Sequence, residues 1–434
     1  MAQRRRIETL PDASRDLISH LPVEINVRIL ECLPIRDAAR TALLSTHWND
    51  VWLQHGQLAF DLKFFFRLGE RKGRSRLPYV KIITYILLQR VRPVKKFSLA
   101  IGSLRLHDPK LEQSDLDQWF LFLSRNGVEE LSVSHGEGRY KLPLCIVSCP
   151  TIKQLTLCSM SFDFPLNAPC IFPCVTSLAF SSVYFNHNVN GIVYSIPNLE
   201  KLDLIDCEGI NNFKISAPKL ESLSICGTTM CSVEWRWFAL HLKAIKVLCI
   251  DGDFLYYLKD VEVASFPTAI NLQVIKLYSL EFAIEKELEV VLQLLQKSPN
   301  LCELEITGAY SDDDIEDEQM EDDDIEAERI EAARLKAARI EAASRLLKDP
   351  ESCIISQDLK MLKTIEIGMF CGSTIEMLFV KMLLSKSPIL EKVVITEAFY
   401  IKDGCMVIKF LRELLCFPRA SPKAQIVIKG KDYA

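Results

Sequence analysis

Hydrophobic and polar positions alternate in two distinct ways along this chain. From residue 128 to residue 395 the pattern apolar-x-x-apolar-x-apolar returns ten times, first as VEELSV (128–133) and IKQLTL (152–157), last as LKTIEI (362–367) and LEKVVI (390–395). Its central residues are Leu131, Leu155, Leu178, Leu202, Leu223, Leu248, Ile275, Leu304, Ile365 and Val393. They stand 21 to 29 residues apart, except for one interval of 61. A proline often lies just upstream, as in FP-CVTSL, IP-NLEKL and SP-NLCEL. Each copy predicts a short strand whose inward residues one unit cannot cover, so the copies stack into a parallel sheet. Linkers early in the series lack helical spacing. Those at 286–299 and 373–388 have it.

Residues 16–52 follow the other pattern. Leu17, Leu21, Ile25, Ile29, Leu30 and Leu33 recur at helical spacing, followed by Ala38, Ala39, Ala42, Leu43, Trp48, Val51 and Trp52. Leu21-Pro22 and Leu33-Pro34 punctuate the run, and proline suits a helix's first turn while disfavouring helix in the residue before it. Helices are therefore expected to begin near Pro22, near Pro34 and near Ser45–Trp48. So small a bundle cannot bury a full core alone and should dock on something else. Between the two regions, Leu58–Leu62 and KFSLAI (96–101) read as strands and 79–91 as a helix. A further helix is expected after Ser114 as its cap, ended by Gly127.

The order Leu-Pro, Ile-x-x-x-Ile-Leu, Leu-Pro, an Ala-rich turn, Leu-Ser and Trp-x-x-x-Trp in residues 21–52 resembles an F-box. Thr46-His47-Trp48 replaces the Lys-Arg-Trp typical of the plant variant. The repeats resemble the irregular leucine-rich repeats of plant F-box proteins. Residues 362–395 with FLRELLCFPRASPKAQIVI (410–428) resemble the FBD domain of the same proteins. The resemblance implies an α/β chain: a small helical F-box, then a solenoid with parallel strands on its concave face and loops or helices on its convex face, closed by an FBD-like cap. The expected divisions are a disordered tail (1–13), the F-box (14–55), a connecting α/β region (56–127), leucine-rich repeats (128–310), an insert (311–351) and the FBD-like repeats (352–434). It also implies a partner, a Skp-type adaptor and through it a cullin, with Leu21, Pro22, Ile25, Ile29, Leu30, Leu33, Pro34 and Trp48 making the contact or holding the helices that do. The function implied is substrate recognition for a Skp–cullin–F-box ubiquitin ligase working in the nucleus or cytoplasm on an unknown protein target. A repeat scaffold without ligase coupling and a small-molecule co-receptor stand as alternatives.

Charge alters the picture at one place. The net charge is −5. Segment 311–349 alone carries fifteen acidic and six basic side chains, so the remainder of the chain is net positive. This segment accounts for the 61-residue interval. Its first half is a like-charge run expected to stay unfolded. Its second half, rich in Ala, Glu and Arg, predicts an exposed helix over 326–347. It reads as an interaction tail for a basic partner or as an expansion tolerated in a surface loop. Residues 61–105 are strongly basic and read as a solvated face. No nucleic-acid partner is expected, no apolar run reaches membrane-spanning length, and MAQRRRIETLPD has no signal-peptide core.

Chemistry is not expected. No P-loop, H-E-x-x-H, G-x-S-x-G or dinucleotide fingerprint occurs, and the seven histidines form no spaced set. No cofactor or metal site is called for. The fifteen cysteines include no C-x-x-C pair and read as buried free thiols. Asp251-Gly252-Asp253 reads as a turn after a strand. Trp235 and Trp237 sit in a linker, as contact aromatics or as packing.

Overall fold

The computed structural model describes residues 18–69, 79–101, 111–136, 139–165, 168, 170–187, 191–227, 235–258, 266–309, 323–348, 355–398 and 404–430. The N-terminal tail, residues 70–78 and 102–105 of the basic segment and the acidic run 311–322 lie outside these residues. The chain divides into two compact units, one running to Met160 with Phe172–Val175, the other comprising Ser161–Ile171 and everything from Thr176.

The first unit opens with three helices, α1 (Val23–Glu31), α2 (Ile35–Thr41) and α3 (Thr46–Leu53). Pro22 and Pro34 cap the first two, and the Ser45 hydroxyl caps the third by accepting from the Trp48 N–H at 3.2 Å. Then follow β1 (Gln57–Phe60), α4 (Leu62–Gly69), α5 (Tyr79–Leu88), β2 (Lys96–Ile101), α6 (Gln113–Arg125), β3 (Glu130–His135), β4 (Tyr140–Lys141), α7 (Leu144–Val147) and β5 (Gln154–Cys158). Strand β1 stops at Phe60 because the Asp61 carboxylate accepts from the Phe64 N–H at 2.8 Å and starts α4. Helix α5 ends before 91, where the Val91 N–H leaves the helical ladder for the Leu53 carbonyl. Helix α6 starts at Gln113, so Ser114 lies inside it. The Glu112 N–H bonds the Asp115 carboxylate at 3.1 Å, which moves the expected cap two residues upstream.

Strands β1, β2, β3 and β5 pair in parallel in that order. Leu58, Phe97, Leu131 and Leu155 are register partners. The region expected to be a connection thus supplies two more rungs. Val94-x-x-Phe97-x-Leu99 obeys the repeat pattern, and at β1 the first apolar position is taken by His55. The helical module docks on this ladder, with α2 against β1. Leu58 and Phe60 are fully buried, the latter ring 5.2 Å from Phe64.

The second unit contains β6 (Met160–Phe162), whose last two residues belong to it, then β7 (Ser177–Ser181), β8 (Tyr184–Phe185), β9 (Tyr194–Ser195), β10 (Lys201–Ile205), β11 (Ile215–Ser216) and β12 (Ser222–Cys226). Next come α8 (Trp235–Leu242), β13 (Val247–Asp251), α9 (Gly252–Leu258), β14 (Val274–Leu280), α10 (Glu285–Gln296) and β15 (Glu303–Gly308). It ends with α11 (Asp323–Lys348), β16 (Thr364–Phe370), α12 (Thr374–Lys386), β17 (Lys392–Glu397), α13 (Gly404–Cys416) and β18 (Gln425–Lys429). Strands β7, β10, β12, β13, β14, β15, β16, β17 and β18 form one parallel ladder. Leu178, Leu202, Leu223, Leu248, Ile275, Leu304, Ile365, Val393 and Ile426 stand in register along it. Leu304 pairs directly with Ile365, so the long insert leaves the stacking intact. The early repeats, which lack helices, fill their core with aromatic rings instead. Phe185 and Phe213 stack at 4.6 Å, beside buried Phe162 and Phe180.

Several expectations need correction. Helix α11 is not free along its length: Ala343 and Ser344 are buried, and the helix packs on α10 and α12. Of the twelve cysteines whose side chains are described only Cys149 and Cys207 are buried; Cys32, Cys170 and Cys416 are exposed and the rest are intermediate, Cys158, Cys226 and Cys249 among them on the open face of the sheet. Asp251 does not begin a simple turn. It caps α9, accepting from the Phe254 N–H at 2.9 Å, and its other oxygen holds the Gly227 N–H. Trp235 and Trp237 belong to helix α8 rather than a linker, and the Trp237 indole donates to the Ile215 carbonyl at 2.9 Å. Among the described residues no helix is long and apolar enough to cross a membrane.

Candidate functional site

On α1 the heptad-like spacing separates two sets of side chains. Leu30 is fully buried, while Leu21, Ile25, Ile29 and Leu33, four residues apart, keep 36–44% of their surface open. Residues at i and i+4 share a helix face, so Ile25 and Ile29 point the same way from α1, and Leu21 and Leu33 flank it just outside its two ends, giving a run of four apolar side chains that nothing among the described residues covers. Pro22 and Pro34 are also exposed. Trp48, 9% exposed, belongs to the packed interior with Val51, Trp52, Ile35 and Ala38. The eight residues singled out from the sequence therefore divide into six at the surface and two, Leu30 and Trp48, that support them. The periodicity missed three further surface side chains as site residues: Ile18 is 55% exposed, Leu43 85% and Leu44 71%. Leu43-Leu44 follows α2 directly, where a turn carrying polar residues is the usual choice. Seven large apolar side chains are thus open to solvent within 27 residues.

The face is held rigid by polar contacts that the apolar pattern does not reveal. Asn26 is fully buried in α1. Its amide donates to the Leu21 carbonyl at 3.2 Å and lies 3.0 Å from His47 Nε2. Because the Leu21 carbonyl needs a donor, the amide nitrogen must face it, and the second amide hydrogen then goes to His47 Nε2. His47 is thereby fixed with its proton on Nδ1. The departure at Thr46-His47-Trp48 thus ties α3 to the start of α1.

A second polar cluster fixes the module to the first strand. The Arg90 guanidinium sits 4.3 Å over the Trp52 ring, and its Nη1 donates to the Trp52 carbonyl at 2.5 Å. Its Nε donates to Ile86 at 3.0 Å. His55 stacks on the other part of this cluster, 5.6 Å from Trp52. Burial, and then the nearby Arg90 charge, lower His55 to about 4, so it stays neutral and serves as an apolar rung residue. Burial draws Arg90 down to about 10, still charged at neutral pH.

An open apolar helical face followed by stacked parallel strand repeats is the architecture of the F-box and leucine-rich-repeat class. Residues 18–56 match the F-box domain, and residues 116–238 match the repeats described as "FBD-associated F-box protein At5g56370, LRR repeats". The chain is 30% identical to the F-box/FBD/LRR-repeat protein At1g13570 of Arabidopsis thaliana, over 95% of this chain and 98% of the relative. It is also 30% identical to the F-box/LRR-repeat protein At3g03360 and 28% identical to the F-box/FBD/LRR-repeat protein At5g56420 of the same plant. Those matches cover 54% and 49% of this chain, and 47% and 49% of the respective relatives. The protein belongs to the F-box/FBD/LRR-repeat family.

Proposed function

We propose that this chain is the target-recognition subunit of a Skp–cullin–F-box ubiquitin ligase. The stripe Leu21, Ile25, Ile29 and Leu33, with Pro22, Pro34 and the Leu43-Leu44 pair, docks on a Skp-type adaptor and through it on a cullin. Leu30 and Trp48 hold the helices that present it. The repeats hold a protein target, and the bond-making is done elsewhere in the assembly. The chain's contribution is proximity, a raised effective concentration of target at the ligase. The observation that carries this reading is the exposed apolar stripe inside the F-box match. We place the protein in the nucleus or cytoplasm, consistent with free thiols at the described cysteines.

The test is capture of a Skp-type adaptor and cullin by the full chain and by Leu21→Ala/Pro22→Ala. Capture by wild type and loss in the variant are expected. Failure of folded wild type to bind would leave a repeat scaffold without ligase coupling, the second reading.

A further inference from the structure

We infer that a cavity at the carboxyl ends of β10, β12, β13 and β14 receives a basic side chain, lysine or arginine, from the target that the repeats hold. This rests on the reading of the repeats as a target-binding surface and names the chemistry of one contact. The cavity measures about 720 Å³ and reaches Ala309, just past β15. That volume suits a ligand of several side chains. Its walls carry Asp206, Asp251, Asp253, Glu281 and Glu287, and among the described residues no lysine or arginine lines it.

Carboxylates alone would be an ordinary surface, but two further features point to an occupant. The first is Glu287, which is 4% exposed yet lines the cavity. One of its oxygens takes a long 3.3 Å hydrogen bond from the Glu281 N–H, and the other has no partner among the described residues. Burial, reinforced by the charges of Glu281, Asp253 and Asp251, pushes this carboxyl up to about 8. A buried acid with one idle oxygen gains most from a donor bearing positive charge. The second feature is a pair of aromatic rings in the wall, Tyr256, 48% exposed, and Tyr278. Phenol rings attract ammonium and guanidinium groups through their faces.

The occupant is an organic cation rather than a metal ion. Among the described residues no three His, Cys, Asp or Glu side chains converge on a point that would ligate an ion. The carboxyls are spread along the walls, with Asp251 already engaged by two backbone N–H groups. Burial, with the Asp251 charge beside it, pushes the Cys226 thiol up to about 12, so no thiolate competes. An elongated side chain with a charged tip spans such a site, its stem against the rings and its tip at Glu287.

The cavity lies in the second compact unit and the F-box in the first, so the two readings fail separately. A fluorescein-labelled peptide, Gly-Ser-Arg-Lys-Ser-Gly, is titrated with the full chain without adaptor, and anisotropy is read. Saturable binding is expected, at least fivefold weaker in Glu287→Gln and in Tyr256→Ala, and absent for the peptide with glutamate in place of Arg and Lys. The tyrosine ring is exposed, so that variant keeps its fold if Glu287→Gln does not. Adaptor capture by both variants should match wild type. Three outcomes overturn the proposal: no binding by folded wild type, displacement of the peptide by millimolar calcium, or equal binding by all variants. The last would move the contact to the acidic run 311–324.

Discussion

Two neighbours on one helix should fail in opposite ways. Ile25 and Ile29 lie on the open stripe of α1, 44% and 36% exposed, while Leu30 beside them is fully buried. Burying a whole Leu or Ile side chain is worth about 1.5–3 kcal/mol. The open fractions of Ile25 and Ile29 together therefore supply about 1–2.5 kcal/mol when an adaptor covers them. Ile25→Ala/Ile29→Ala should weaken adaptor binding by about 5- to 70-fold and leave the melting temperature nearly unchanged. Leu30→Ala instead leaves a cavity between α1 and its neighbours, costing about 2–5 kcal/mol of stability. Whatever remains folded should bind with near-normal affinity. Calorimetric titration with purified adaptor, beside thermal melts of each variant, measures both quantities. The division of α1 into a contact face and a support face is wrong if Leu30→Ala weakens binding without lowering the melt. Unchanged binding by the folded double variant would remove the stripe from the interface altogether.

Other perturbations test the remaining contacts. Arg90→Met strips the Trp52 carbonyl of its donor and the Trp52 ring of its cation; a loss of about 1–3 kcal/mol is expected in urea melts. The same variant removes the charge that helps lower His55, so NMR titration should show its pKa rising from about 4 toward the usual 6.5. Glu287 holds its proton up to about 8 in the folded chain against 4.5 ordinarily, so between those values the unfolded chain has already shed a proton that the folded chain keeps. Stability contributed by this group is full below 4.5 and drains away as pH rises to 8, on the order of 5 kcal/mol at ~1.4 kcal/mol per pH unit. Urea melts at pH 5 and pH 8 should therefore show Glu287→Gln gaining on wild type as pH rises, and a constant difference would refute the assignment. On α11, Ala343→Asp puts a charge where the helix is buried against α10 and α12, whereas Ala338→Asp changes an exposed site. Only the first should lower the melting temperature, by several degrees.

Local chemistry explains how much was legible beforehand. The ten rungs from 128 to 395 follow from a pattern read within six residues, because strand side chains alternate and the inward ones must be apolar. The starts of α1, α2 and α3 follow from Pro22, Pro34 and Ser45, which act on their own turn. Leu304 and Ile365 could be matched across the insert because spacing counts repeats, and extra length in a loop adds little to the cost of closing it. What stayed hidden depends on partners distant in the chain. His55 looks polar until Trp52 and Arg90 surround it. Asn26 looks like a surface residue until His47 is brought to it from 21 positions away. Leu21 and Leu30 are equally apolar on paper, and only the packing of α1 against α3 decides that one is buried and the other left open. The acidic cavity is the extreme case: its walls come from the ends of separate repeats, and no window of sequence contains them together. Periodicity determined the repeats, their order and the helical module, because those are set by neighbours along the chain. Burial, charge state and the sites themselves were decided by tertiary structure, because each depends on which distant groups displace water from the same volume.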